Sequence, residues 1–373
     1  MTDRLLSTRA ARRFLEEYWQ KKPKLARNQV PGVDPSVNRK SLTALACRDD
    51  VESRLVIGAR RKWNVLHGPF RKRDFAQLPP RDWTLLVNGV ENHIPSARAL
   101  QMQFGFIPYA RHDDVMISYA APGGGVGPHF DSYDVFLLQG MGRRRWQISN
   151  QSDLALIEGA PLKILRRFRA RRDWVLQSGD LLYLPPNHAH HGVALDECIT
   201  WSIGLRAPGQ QEIAARFLDF LQDRLALTGS YRDPGLTLQR HPAAIGTDML
   251  RRTKAMLDGI RWDDRDIARC LGEYLTEPRS SVVFKRATGM PSRRFAGAVA
   301  TRGVTLDLKS RMLLSAGMIF INGESVTVSA RARQILRQFA DQRRLGPGAR
   351  MSADAREMLY QWYRAGYVVL GER

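Results

Sequence analysis

The spacing of apolar residues switches from strand-like to helical at Arg206-Ala207-Pro208-Gly209, and this break limits the possible folds more than any other feature of the chain. Before it, from Trp83 to Leu205, short runs rich in Val, Ile, Leu, Phe, Trp and Tyr are separated by turns containing Gly, Pro, Asn or Asp. That pattern predicts an antiparallel barrel or sandwich. After it, Ile213, Phe217, Phe220, Leu221 and Leu225 recur at helical intervals. Two further amphipathic helices carry Ile245, Met249, Met256 and Ile260, then Ile267, Cys270, Leu271 and Tyr274. Such a layer packs within its own chain or against a second copy, and a homodimer through it is expected.

Two flanking regions complete the outline. A helix capped by Ser7 or Thr8 presents Phe14, Leu15, Tyr18 and Trp19 on one face and ends at Lys21-Lys22-Pro23. Toward the carboxyl end, Met318–Ile321 and Ser325–Val328 flank Asn322-Gly323, residues that readily take the positive φ angles of a type I′ hairpin turn. Helices around Ile335-Leu336-Phe339 and Met358-Leu359-Trp362 follow, then a strand over Tyr367–Leu370. This order is compatible with a winged-helix-like unit, a fold that serves nucleic-acid and protein contacts alike.

The apolar fraction of 43% is ordinary for a globular protein, and no run approaches the roughly 20 apolar residues of a membrane span. Met1 to Ser7 lack the apolar core of a secretory signal, so the cytoplasm is the expected compartment and no membrane partner is expected. Cys47, Cys198 and Cys270 are far apart and lack CxxC spacing, which supports neither a disulfide framework nor a zinc knuckle. A formal charge of +21 favours encounter with a polyanion such as nucleic acid or a ribonucleoprotein surface. Arginine scattered by host composition gives the same total, so direct nucleic-acid binding is left open.

The residues with the most chemical content are Gly127-Pro128-His129-Phe130-Asp131 and the later cluster Asn187-His188-Ala189-His190-His191-Gly192. In an extended strand His129 and Asp131 project from one face and can reach a single cation. With one remote imidazole they form the two-histidine, one-carboxylate set of a mononuclear non-haem iron site, which leaves positions open for a co-substrate and oxygen. His188, His190 and His191 compete for the third place. His190 is chosen because it shares a strand face with the small Gly192. The glycines before the pair, Gly123 to Gly127, form a flexible lead-in that removes bulk beside the site.

Strand alternation supplies the surroundings. Over Arg144 to Ile148, Arg144, Trp146 and Ile148 share one face, which turns a guanidinium inward and calls for an anionic partner. Its planar fork suits a carboxylate, either an internal one or that of a dicarboxylate co-substrate. On the preceding strand Asp114, Met116 and Ser118 share a face opposite the apolar Val115, Ile117 and Tyr119. Ser118 offers a hydroxyl to the same carboxylate. Asp114 and Met116 suit a substrate entrance, a carboxylate for a cation and a thioether for an alkyl stem, and Tyr133 an aromatic wall.

The block from Asp114 to Trp146, the phrase at Tyr183 to Pro186 followed by His190, and the ending from Ser202 to Pro208 together resemble the bacterial ribosomal oxygenases, JmjC and cupin-type enzymes dependent on Fe(II) and 2-oxoglutarate. The likeness runs more loosely from the segment Tyr18 to Pro23 through the helical layer, and it fades over the carboxyl-terminal third. It implies an α+β chain with a double-stranded β-helix (JmjC/cupin jelly roll) catalytic domain over 1–207, a helical dimerisation region over 208–277 and a winged-helix-like domain over 278–373. It implies iron ligands His129, Asp131 and His190, with Arg144 and Ser118 on the distal carboxylate of 2-oxoglutarate. The reaction implied is hydroxylation at C3 of an arginine in large-subunit ribosomal protein L sixteen, with oxygen consumed and 2-oxoglutarate decarboxylated to succinate. Histidine hydroxylation or lysine demethylation by the same chemistry, a small-molecule cupin enzyme, and a ribosome- or nucleic-acid-binding module with a structural barrel are the competing readings. The extra histidines around His190 and the abundance of basic residues depart from the family pattern.

Overall fold

The computed structural model describes residues 8–30, 32–58 and 63–372. Ser7, one of the two expected caps, lies outside them. The amino-terminal part carries helices α1 (Thr8–Glu17), α2 (Arg39–Ala46), α3 (Lys72–Ala76) and α4 (Pro95–Met102). Interspersed with them and following them are strands β1 (Lys24–Ala26), β2 (Ser53–Ile57), β3 (Asn64–His67), β4 (Trp83–Val87), β5 (His112–Ala120), β6 (Asp134–Met141), β7 (Arg144–Ser149), β8 (Arg172–Leu176), β9 (Leu181–Leu184), β10 (Ala189–Ala194) and β11 (Cys198–Leu205). They form an eight-stranded sheet in the order β1-β9-β6-β11-β5-β4-β2-β3 and a three-stranded sheet in the order β10-β7-β8. Every strand pairing in both sheets is antiparallel.

The larger sheet is covered on one face by helices and faces the smaller sheet with the other. Leu85, Val87, Ile117, Tyr119, Phe136, Leu138 and Trp201 pack against Phe14, Leu42, Leu45, Leu100 and Phe104 of the helical side. The neighbours on β6 point the opposite way, so that Val135 and Leu137 meet Trp146, Ile148 and Leu176 of the smaller sheet. This is the two-layer wrap of a jelly roll, with period-two alternation sorting each strand between an outer and an inner core.

The amino-terminal helix docks through Phe14, which is 1% exposed, packs edge-on against Tyr183 at 4.8 Å and contacts Phe136 at 5.4 Å. Such burial contributes about 1.5–3 kcal/mol. The helix stops at Glu17, short of Lys21-Lys22-Pro23, and Leu15 is exposed. Tyr18 and Trp19 sit in a turn that Gln20 closes at φ 55°. That turn is tied to the buried Asp134, whose carboxylate accepts from Tyr183 Oη at 2.5 Å, Gln20 Nε2 at 2.9 Å and Arg111 Nη2 at 3.2 Å. Three donors on one buried carboxylate fix the entry of the chain into the sheet. Strands β1 to β3 and helix α4 were not expected from the sequence. The strands are three to five residues long and their apolar faces are incomplete, so their pairing with longer neighbours creates them.

Beyond the jelly roll come α5 (Gln210–Gln222), α6 (Thr247–Leu257) and α7 (Asp264–Thr276), the three helices read from the sequence. In α7, Asp263 accepts from the backbone N–H groups of Arg265 and Asp266, a cap that satisfies otherwise orphaned donors. The carboxyl-terminal part comprises α8 (Ser292–Arg302), β12 (Val304–Leu306), β13 (Met312–Ser315), β14 (Met318–Ile321), β15 (Glu324–Thr327), α9 (Ala330–Gln342), β16 (Arg344–Leu345), α10 (Ala353–Ala365) and β17 (Val368–Leu370). Asn322 and Gly323 take φ 51° and 89° between β14 and β15, as the hairpin pattern predicts. Phe295, Leu336, Phe339, Leu359 and Trp362 build a separate core there. Ion pairs join this part to the jelly roll, with Arg279 reaching Asp113 at 3.0 Å and Asp114 at 3.3 Å. Among the described residues no helix is long and apolar enough to cross a membrane.

Candidate metal centre

Between the two sheets lies a cavity of about 430 Å³. Leu86, Met116, Ser118, Val135, Leu137, Thr200 and Ser202 line it from the larger sheet, and Arg144, Trp146 and His190 from the smaller one. The connection between β5 and β6 closes its mouth with His129, Asp131 and Tyr133.

His129 and His190 face each other across an antiparallel bridge, with each backbone N–H donating to the other's carbonyl at 2.9 and 2.8 Å. That bridge brings two residues distant in sequence to one point. One donor atom from each of His129, Asp131 and His190 lies within 4.8 Å of the other two. Asp131 Oδ2 stands 3.6 Å from His190 Nε2. His190 Nδ1 donates to the carbonyl of His188 at 2.8 Å and His129 Nδ1 to that of Gly127 at 3.0 Å. A ring nitrogen facing a carbonyl carries the proton, so the Nε2 lone pair of each ring is left to bind a cation. Burial and the neighbouring His129 push His190 down to about 4, which keeps its ring neutral at physiological pH. Two imidazoles and one carboxylate fit a divalent transition metal.

The other two histidines of the cluster do not join this group. His191 points to the opposite face of β10 and packs edge-on against Phe168 at 6.2 Å, and His188 hydrogen-bonds to the carbonyl of Pro186 at 3.3 Å. The glycine lead-in is packed rather than loose. Gly127 has φ 78°, and a Cβ there would lie 2.7 Å from Trp63 and 2.8 Å from Ile164.

Arg144 is buried, 3% exposed, and lies with Trp146 on the inward face of β7. Its Nη1 donates to Ser118 Oγ at 3.4 Å and its Nη2 to the Gly192 carbonyl at 3.4 Å, both long contacts. Among the described residues Arg144 Nε and Trp146 Nε1 have no acceptor. Among the described residues no carboxylate pairs with Arg144, and burial pushes its guanidinium below the ordinary value. A buried cation with idle donors beside a cavity is costly unless an anion enters. Gly192 makes room for this arrangement: a Cβ there would lie 2.7 Å from the Trp146 ring and 2.9 Å from Arg144 Nε.

Met116, Ser118 and Tyr133 line the cavity, while Asp114 does not. Asp114 is held beside it by Arg279 and by the Gly89 N–H, which donates at 3.3 Å, and burial pushes its carboxyl up to about 7. Among the polar lining residues that the sequence reading did not place are Arg54, Thr200 and Lys163. Arg54 sits on a strand too short to be predicted, and Lys163 on a loop whose course over the mouth has no local signal.

A JmjC domain model matches residues 99–213, and a ROXA-like winged helix model matches residues 259–368. The chain is 36% identical over 270 residues to the ribosomal protein uL16 3-hydroxylase of Escherichia coli, covering 71% of each chain. The chain belongs to the ribosomal oxygenases. A probable ribosomal oxygenase of Haemophilus influenzae is 40% identical over 230 residues, 60% of this chain and 54% of the relative. The solved structure of the E. coli ribosomal oxygenase YcfD in complex with cobalt and 2-oxoglutarate superposes with a TM-score of 0.84 at 30% identity, covering 97% of this chain and 98% of that one. This ribosomal oxygenase is therefore a 2-oxoglutarate-dependent enzyme with a metal centre, built on a JmjC cupin fold with a winged helix at its carboxyl end.

Proposed function

We propose that this enzyme hydroxylates C3 of an arginine side chain in large-subunit ribosomal protein L sixteen, using Fe(II), 2-oxoglutarate and oxygen in the cytoplasm. The observation that carries the reading is the pairing of a two-histidine, one-carboxylate cluster with a buried guanidinium that has no carboxylate partner, both in one cavity. His129, Asp131 and His190 would hold the metal, and Arg144 with Ser118 would hold the distal carboxylate of the co-substrate. Bound iron supplies the oxidising power for attack on an unactivated carbon. The protein supplies placement. The bridge between His129 and His190 fixes two ligands by backbone hydrogen bonds, and Arg144 sets which end of the co-substrate faces the metal. Met116 and Tyr133 form the wall against which a substrate stem would lie, and Asp114 with Arg279 sets the charge beside it.

The domain division goes with this reading: a catalytic unit over 1–207, a helical dimerisation region over 208–277 and a winged-helix-like unit over 278–373. The exposed apolar side chains Leu218, Met249, Leu250, Met256, Leu257 and Trp262 support pairing of two copies through the helical region. Mass spectrometry of ribosomal proteins from cells with and without the gene tests substrate and reaction together. One arginine in protein L sixteen should gain the mass of one oxygen atom only when the gene is present. A hydroxylated histidine would move the site, release of formaldehyde would indicate demethylation, and no mass change in any ribosomal protein would overturn the substrate class.

A further inference from the structure

The segment that links β7 to the start of β8 carries more positive charge than any function assigned above requires. From Pro161 to Arg172 it holds Lys163, Arg166, Arg167, Arg169, Arg171 and Arg172 and no acidic residue. Lys163, Arg167, Arg169, Arg171 and Arg172 are all exposed. None of these five forms an ion pair with a carboxylate among the described residues, although the adjoining Arg145 pairs with Asp173 and the nearby Arg143 with Asp196. Acids are thus at hand and serve other arginines.

The loop is pinned in place at the active site. Leu165 N–H donates to the carbonyl of Pro128 at 2.8 Å, one residue before His129. Ile164 and Leu165 are each 1% exposed. Gln151 receives the Arg169 N–H at 3.1 Å and donates to the Arg167 carbonyl at 2.9 Å. Lys163 itself lines the cavity, and Phe168 rests on His191, next to His190. The cations therefore stand on a fixed ridge along the rim, interleaved with the half-buried rings of Phe168 and Trp174, the latter under Arg172 at 5.5 Å.

We infer that this ridge binds the phosphate backbone of RNA, and that the enzyme meets its substrate as part of a ribonucleoprotein rather than as a free protein. The inference rests on the proposed hydroxylation of a ribosomal arginine. A guanidinium on a basic protein is repelled by a rim of like charge, and RNA lying between the two neutralises both. Arginine separated by aromatic rings is the surface that follows a flexible phosphate chain, contributing affinity without base specificity.

The test uses the full-length protein and a fluorescein-labelled single-stranded RNA of about 20 nucleotides, with anisotropy recorded over a series of salt concentrations. The variant Arg167→Glu/Arg169→Glu/Arg171→Glu should bind at least about ten-fold more weakly than the wild type, and its log–log salt slope should flatten by about 2, at roughly 0.7 per lost phosphate contact. A second variant, Arg331→Glu/Arg333→Glu/Arg337→Glu, reverses charge on α9 of the winged-helix part and should leave binding within about two-fold, the spread of uncoupled surface changes. Equal binding by wild type and loop variant, or loss in the α9 variant alone, would overturn the inference. Succinate formation from 2-oxoglutarate without protein substrate should be unchanged in the loop variant, which shows that its metal centre is intact. Absence of hydroxylation on free and ribosome-assembled substrate alike would count against the proposed reaction while leaving the RNA measurement standing; hydroxylation faster on the free protein would contradict the ribonucleoprotein reading alone.

Discussion

Arg144 Nη1 and Ser118 Oγ are 3.4 Å apart, a contact between β7 and β5 in the cavity lining that leaves the buried guanidinium under-bonded. An arrangement of this kind is poorly stabilising by itself and becomes favourable when a carboxylate occupies it. Replacement by an apolar side chain of similar length should therefore stabilise the empty protein. Arg144→Met is expected to raise the ligand-free unfolding free energy by about 1–4 kcal/mol. It should also abolish the stabilisation that 2-oxoglutarate gives the wild type, about 2.7 kcal/mol at a hundred-fold excess over Kd, and with it the rise in melting temperature. Thermal unfolding with and without 2-oxoglutarate checks both signs. Ser118→Ala, which removes one neutral hydrogen-bonding group, should weaken binding only by about 1 kcal/mol.

Gly192 lies against both Trp146 and Arg144, and its carbonyl accepts from Arg144 Nη2. Gly192→Ala puts a methyl group into occupied space and should cost about 1–3 kcal/mol of stability by displacing the indole or the guanidinium. The KM for 2-oxoglutarate should rise with it. A denaturation curve and a 2-oxoglutarate titration on the same preparation read the two effects.

Helices α5 and α6 and the connection from α6 to α7 leave Leu218, Leu250, Leu257 and Trp262 between 53% and 65% exposed. Cover by a second copy predicts a solution mass twice that of one chain by light scattering. Leu250→Glu/Leu257→Glu should shift the protein to the single-chain mass, since burying either carboxylate without a partner is costly. A wild type that runs as a monomer at all concentrations would contradict this.

His112 is buried against the Phe104 carbonyl, and burial lowers it from 6.5 to about 4. The unfolded chain takes up this proton first as pH falls, so the stabilising contribution is complete above pH 6.5 and declines as the pH drops toward 4. The loss approaches about 3 kcal/mol at most. His190 and His191 are lowered in the same direction, so the readout is a difference. Unfolding free energies at neutral pH and near pH 4.5 should differ less in His112→Gln than in the wild type.

The antiparallel β layer, the three helices after Pro208 and the hairpin at Asn322-Gly323 were legible because each depends on local periodicity or on a turn residue with a φ preference. The inward position of Arg144 followed from strand alternation alone, and burial of Arg144, Trp146 and Ile148 beside the outward Arg145 agrees with it. What lacked a local signal was anything made by long-range pairing. Strand β1 exists because its backbone pairs with β9, and β2 joins the sheet by pairing with β4, which places Arg54 in the cavity. The sequence also suggested loose glycines before His129, whereas Trp63 and Ile164, remote in the chain, press on Gly127. Asp114 shares the face of Met116 and Ser118 as alternation requires, yet Arg279, from a segment far along the chain, holds its carboxylate outside the cavity lining.

The central claim is that His129, Asp131 and His190 would hold one ferrous ion to which 2-oxoglutarate binds as a chelating ligand. Anaerobic titration of Fe(II) and 2-oxoglutarate into the full-length protein, followed by the visible charge-transfer absorption of a 2-keto acid chelated to ferrous iron, tests it most directly. A saturable band at one iron per chain is expected for the wild type, with its loss in both His129→Ala and Asp131→Ala. An undiminished band in either variant would contradict the claim.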